Sequence, residues 1–106
     1  MSIAVSRSIG DLIFKDEEFC RGSPVALIST PHVSSRCLDP ASDWFLVLAC
    51  DGVFDVMTKN EVASVVADAL RSEPTDVNGA ARSVVNRALE LFSTDNCSCI
   101  VVTLSN

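Results

Sequence analysis

The sequence predicts an α+β domain, on three observations. One nearly continuous apolar run, Trp44 to Cys50 (WFLVLAC), has the length and composition of a strand. A second run, Cys97 to Leu104 (CSCIVVTL), reads as a closing strand. Between them, two stretches carry apolar residues at helical spacing. With 106 residues there is room for one small domain, spanning 1–106, and not for two. A domain of this size buries only about two-thirds of its unfolded surface, so its stability margin is thin.

Taken in order, Met1 to Ser8 (MSIAVSRS) alternates weakly and reads as a strand that Gly10-Asp11 breaks. Lys15 to Gly22 is polar and acidic, which suits a surface loop or a short helical turn. Val25 to Thr30 (VALIST) is β-branched-rich and lies between two prolines, the pattern of a short strand. Pro31 to Asp43, rich in Ser, Pro and Asp, reads as loop or turn. Trp44 to Cys50 is apolar at every position, so burial on both faces is expected.

Both helices have local support. Thr58-Lys-Asn-Glu61 matches a capping box, in which each end satisfies an orphan backbone N–H. Val62, Val65, Val66, Ala69 and Leu70 then share one helical face. Pro74 ends that helix because proline cannot continue it. Asp76 is placed to cap the next one. Ala81, Val84, Val85, Ala88, Leu89 and Phe92 repeat the spacing and form its expected buried side. Core packing accounts for both stripes.

The bulk numbers exclude several classes. Fourteen acidic and 8 basic residues leave a net charge of −6, and the basic residues are scattered singly from Arg7 to Arg87. Nucleic-acid binding needs clustered Lys and Arg, so it is not expected. The longest apolar run falls far short of the roughly 20 residues of a membrane span. The start of the chain lacks the basic and apolar regions of a signal peptide. A cytosolic or nuclear location is expected. Five cysteines at irregular spacing do not form a disulfide framework. Cys50, Cys97 and Cys99 fall in apolar strands, where thiols serve as small buried hydrophobes. Cys97-Ser-Cys99 lacks the second pair or nearby His that would complete a zinc site.

The informative residues are acidic. Asp51 directly follows the first strong strand, and Asp95 directly precedes the second. If those strands pair antiparallel, both carboxylates project from one sheet edge. Gly52 permits a tight turn beside Asp51, and Asp55 lies one turn further on. Clustered carboxylates suit a hard divalent cation such as Mg²⁺ or Mn²⁺. Such an ion can activate water and clamp a phosphoryl oxygen. An ordinary turn at Asp51-Gly52 and an ordinary strand start at Asp95-Asn96 explain the same spacing, and on spacing alone that is the simpler reading.

Three segments carry a resemblance. Ala4-Val-Ser-Arg-Ser-Ile-Gly-Asp11 resembles the "SRxxGD" segment of the metal-dependent type 2C protein phosphatases (the PPM type). Leu48-Ala-Cys-Asp-Gly-Val-Phe-Asp-Val-Met57 is similar to their "LACDGxWDV" segment, with Phe54 for the usual Trp. Ser93-Thr-Asp-Asn-Cys-Ser98 resembles their "SxDNxS" segment. The order is the family's order, and the match covers essentially the whole chain.

The resemblance implies a fold and a chemistry. The fold would be the C-terminal portion of a four-layer α-β-β-α sandwich with antiparallel sheets. The chemistry would be hydrolysis of phosphoserine or phosphothreonine by metal-bound water, with two Mg²⁺ or Mn²⁺ ions per complete domain. By position, Asp51 and Asp95 would be metal ligands, Asp55 a ligand at a weaker third site, and Gly52 a structural residue beside them. Arg7 and Asp11 match motif positions with no settled role, either buried scaffolding or direct chemistry. His32 reads as a loop residue. The implied partner is a phosphoprotein substrate, with no nucleic acid and no membrane, and the complete form would be monomeric.

The family's first half, with its "DGHGG" segment, has no counterpart in these residues. The expectation is a partial phosphatase domain lacking the N-terminal half, inactive by itself. Met1 falls inside an expected strand, which fits a fragment. A non-catalytic short product acting as a binding module is the alternative. A phosphotransferase of the haloacid-dehalogenase type would also use an aspartate at a strand end. It needs a second acid two residues on, where this chain has Val53, and it leaves Asp95 unexplained.

Overall fold

The computed structural model describes residues 3–22 and 26–104. The chain divides into two units, Met1–Cys37 and Leu38–Asn106.

Among the described residues of the first unit the regular structure is one 3-10 turn, Leu12–Lys15, entered through Gly10 and Asp11, both with positive φ. Among the same residues, the segments expected as strands at Met1 to Ser8 and Val25 to Thr30 do not form strands. What remains of them is one parallel bridge, Arg7 to Ile28. Two backbone bonds support it, Ser8 N–H to Ile28 C=O at 3.0 Å and Ile28 N–H to Ser6 C=O at 3.2 Å. Met1, Ser2 and Val25 lie outside the described residues. An isolated pair of short segments gains too few ladder bonds to offset its ordering entropy. Residues 17–22 form turns, as their composition suggests.

The described residues of the second unit form five elements: β1 (Phe45–Ala49), α1 (Asp51–Phe54), α2 (Lys59–Ser72), α3 (Val77–Glu90) and β2 (Cys99–Thr103). β1 and β2 pair antiparallel, with Phe45 opposite Thr103 and Ala49 opposite Cys99. Backbone bonds continue the ladder one step at each end, Leu104 N–H to Trp44 C=O and Cys50 N–H to Ser98 C=O. The two-stranded sheet and its helices make this unit α+β.

The helices end where local chemistry ends them. Thr58 caps α2 by accepting the Glu61 N–H at 3.2 Å, the forward half of the expected capping box. Asp76 caps α3 by accepting the Gly79 N–H at 2.9 Å. Val62, Val66 and Leu70 of α2 and Ala80, Val84 and Ala88 of α3 are buried together with Val53, Met57 and Val101. Replacing Thr58 by Ala leaves an orphan N–H at the start of α2. The expected cost is about 1 kcal/mol, read as a lower urea midpoint with unchanged slope.

Two expectations about burial are corrected. β1 is not buried on both faces: its residues alternate, and Leu46 and Leu48 are each 50% exposed. Phe45, Val47 and Ala49 face the core, and the helices cover only that side. Across the ladder, Leu46 meets Val102 and Leu48 meets Ile100, so one apolar sheet face is open to solvent. The second correction concerns α3, where Leu89 and Phe92 are 55% and 86% exposed. The buried stripe follows Ala80, Val84 and Ala88, which turns Leu89 off its axis. The helix then stops at Glu90, and Phe92 takes a left-handed φ of 65°. Leu91 packs against the core instead.

Candidate metal centre

β1 delivers Asp51 to one end of the sheet, and the antiparallel register returns the chain to that end just before β2. There Asp51 starts the single-turn helix α1, Asp55 follows it, and Asp95 sits on the loop leading into β2. The three carboxylates each offer an oxygen, and these oxygens lie within 4.8 Å of one another. All three side chains are exposed. The structure therefore brings together residues that the spacing and an assumed strand pairing had placed at one sheet edge.

The donor set is uniform: three carboxylate oxygens, with no sulfur or imidazole. Around a six-coordinate Mg²⁺, with bonds of roughly 2.1 Å, neighbouring oxygens are about 3 Å apart and opposite ones about 4.2 Å. The three carboxylate oxygens, all within 4.8 Å of one another, lie on the scale of such a shell. Magnesium also keeps several waters, so three protein ligands suffice for a partial shell. The ion pairs Arg71–Asp68 and Arg87–Glu90 lie on the helices and neutralise none of these charges. In water, each close pair of like charges costs on the order of 1 kcal/mol. The donors fit a hard divalent ion.

The role of Gly52 differs from the one expected of it. Its backbone is helical, with no positive φ, so the turn itself does not demand glycine. What demands it is contact: a Cβ at position 52 would overlap the Asn96 carbonyl oxygen and sit 3.4 Å from Asp95 Cβ. The missing side chain lets the turn carrying Asp51 lie directly against the loop carrying Asp95.

Three further residues hold these segments together, and sequence reasoning gave them no such task. The Ser93 hydroxyl donates to the Gly52 carbonyl at 2.6 Å. Cys50 Sγ accepts the Ser98 N–H at 3.1 Å and reaches the Asn96 carbonyl at 3.2 Å. Cys97 Sγ lies 3.5 Å from the Gly52 carbonyl. Cys50 and Cys97 are thus half-buried hydrogen-bonding groups and not simple strand hydrophobes. The available signal was the placement of Ser93, Cys50 and Cys97 within two residues of an aspartate. Burial, with Cys50 adding in the same direction, pushes the Cys99 thiol above its ordinary value. It is protonated at neutral pH.

Arg7 and Asp11 belong to the other unit, and their described contacts there are local. Arg7 Nη1 donates to the Thr30 carbonyl at 2.8 Å. Asp11 precedes the 3-10 turn, and its carbonyl accepts the Phe14 N–H at 3.0 Å. His32 is exposed in an irregular stretch.

Comparison with known proteins adds to this geometry. The family model described as protein phosphatase 2C matches residues 1–97. Protein phosphatase ppm-1.A of Caenorhabditis elegans is 37% identical over 101 residues, covering 95% of this chain and 21% of its own length. Protein phosphatase 1B of Homo sapiens is 34% identical over 105 residues, covering 99% of this chain and 22% of its own. Probable protein phosphatase 2C 60 of Arabidopsis thaliana is 33% identical over 110 residues, covering 99% and 30%. The chain spans less than a third of the length of these relatives.

Proposed function

The chain belongs to the protein phosphatase 2C family, and from that premise we propose that it is the metal-side portion of a domain hydrolysing phosphoserine and phosphothreonine in proteins. The observation that carries the reading is the convergence of Asp51, Asp55 and Asp95. Asp51 and Asp95 hold the ions of a two-metal Mg²⁺ or Mn²⁺ centre, and Asp55 serves a weaker third site. When bound, the cations supply Lewis acidity, making water nucleophilic near neutral pH and neutralising charge on a phosphoryl group.

The chain's own residues contribute placement. Asp51 is carried on a rigid turn at the end of β1, and Asp95 on a loop held to that turn from both sides. Their exposure leaves the cluster open to a phosphorylated protein segment. The open face formed by Leu46, Leu48, Ile100 and Val102 is where a second sheet of the complete four-layer sandwich packs. These side chains are already about half-buried, so covering the rest contributes roughly 1 kcal/mol each, about half the full-burial value, and the complete domain is the more stable species.

The test is Mn²⁺-dependent dephosphorylation of a phosphoserine peptide by a domain reconstituted by fusing an N-terminal half from a relative to this chain. Turnover that EDTA removes and Mn²⁺ restores is the expected result, and turnover indifferent to EDTA would contradict it. The 106-residue chain alone is expected to leave p-nitrophenyl phosphate unhydrolysed with Mn²⁺ present. Turnover by the chain that an Asp51→Asn control lacks would show that no further ligands are needed.

A further inference from the structure

We propose that Ser93 is a positioning residue for the carboxylate cluster, acting through the Gly52 carbonyl. The inference rests on the metal-binding reading above and adds a residue to it.

The single turn of α1 uses its carbonyls unevenly. Asp51 C=O accepts the Asp55 N–H at 2.7 Å, and Val53 C=O accepts the N–H groups of Val56 and Met57 at 3.2 and 3.0 Å. The Gly52 carbonyl between them receives the Ser93 hydroxyl at 2.6 Å, with Cys97 Sγ at 3.5 Å as a longer second contact. A carbonyl at a helix end needs a partner from outside the helix. Here that partner lies two residues before Asp95, while the carbonyl lies one residue after Asp51. One short, half-buried bond therefore joins the two segments that bear the carboxylates, beside the carboxylates themselves.

The rest of the loop is anchored differently. Ser93 N–H bonds to Ala88 C=O at 3.1 Å, which ties the loop to α3 and not to α1. Cys50 Sγ holds the far side, through Asn96 and Ser98. Removing the Ser93 hydroxyl leaves the near side of the loop without its strong link to the turn carrying Asp51 and Asp55. Carboxylates on separate segments bind cations well only if their separation is preset, and groups that orient ligands typically change affinity by roughly 10–100-fold when removed.

The test is Mn²⁺ uptake by the 106-residue chain, followed by the electron paramagnetic resonance signal of free Mn²⁺. Wild type, Ser93→Ala, Ser93→Thr and Asp51→Asn are compared at a temperature where circular dichroism shows each fully folded. Ser93→Ala is expected to bind about tenfold more weakly, with its unfolding midpoint in EDTA lowered only as far as the loss of one hydrogen bond lowers it, and Ser93→Thr, which keeps the hydroxyl, to recover most of the affinity. Wild-type affinity in Ser93→Ala, with Asp51→Asn impaired, would overturn the positioning role and leave the metal reading standing. Equal loss in Ser93→Ala and Ser93→Thr would also overturn it, because the hydroxyl would then not be the active group. Equal uptake by wild type and Asp51→Asn would remove the metal reading, and this inference with it.

Discussion

Asp51→Asn is expected to abolish Mn²⁺-dependent phosphatase activity in the reconstituted domain while leaving the fold intact. The substitution is nearly isosteric, and the backbone bond from Asp55 N–H to Asp51 C=O does not involve the altered group. The side chain is exposed and is one of three converging carboxylates. Exposed substitutions of this kind usually change stability by no more than about 0.5 kcal/mol. What is lost is a charged oxygen donor, which a neutral amide replaces poorly beside a hard cation. With Asp51 in the proposed role of a direct ligand, the fall in kcat/KM should exceed the roughly 10–100-fold typical of groups that only support a ligand. Turnover within a few fold of wild type, at saturating Mn²⁺, would remove Asp51 from the centre.

The second large effect is expected at a residue with no side chain. Gly52→Ala sets two terms against each other. In a helical backbone alanine is favoured over glycine by roughly 0.5–1 kcal/mol. The new Cβ, however, would overlap the Asn96 carbonyl oxygen and lie 3.0 Å from the carbon bearing it. Overpacking typically costs about 1–3 kcal/mol, and here the obstacle is backbone, which cannot rotate away as a flexible side chain can. Steric cost wins, with a net loss on the order of 2 kcal/mol. The strain is relieved only by moving the turn or the loop, so Mn²⁺ uptake should fall together with stability. A Gly52→Ala chain as stable as wild type, by urea unfolding, would show that the contact is not tight in solution.

These two positions also show what could be read from residues in order. Asp51 was legible because it follows an apolar run directly, and Asp95 because it precedes another. Gly52 was legible as important, but for the wrong reason. A glycine after an aspartate suggests a turn, whereas a close approach by Asn96, far along the chain, cannot be seen locally. Ser93 was visible within a motif and had no assigned task, since its partner carbonyl lies across 41 positions of sequence.

Elements followed the same division. α2 and α3 were legible because a capping residue, an i, i+3, i+4 stripe and a stop signal are all local. The β1–β2 pair was legible because only two long apolar runs were available to pair. The segments near Arg7 and Ile28 were not, since a β-rich composition yields a ladder only when a neighbour supplies one. Burial on both faces of β1 failed for a related reason. An apolar strand states what it tolerates, and the layers around it decide what it meets.

By itself, then, the sequence determined where α2 starts and stops, where α3 starts, that the two long apolar runs become strands, and which carboxylates flank them. Those outcomes depend on interactions within a few residues, on spacing and capping alone. Tertiary structure alone decided that Asp51, Asp55 and Asp95 meet, that Gly52 must lack a Cβ, and that a hydroxyl from Ser93 closes the gap. Each of these depends on the antiparallel register between β1 and β2, and register is set by how the whole core packs.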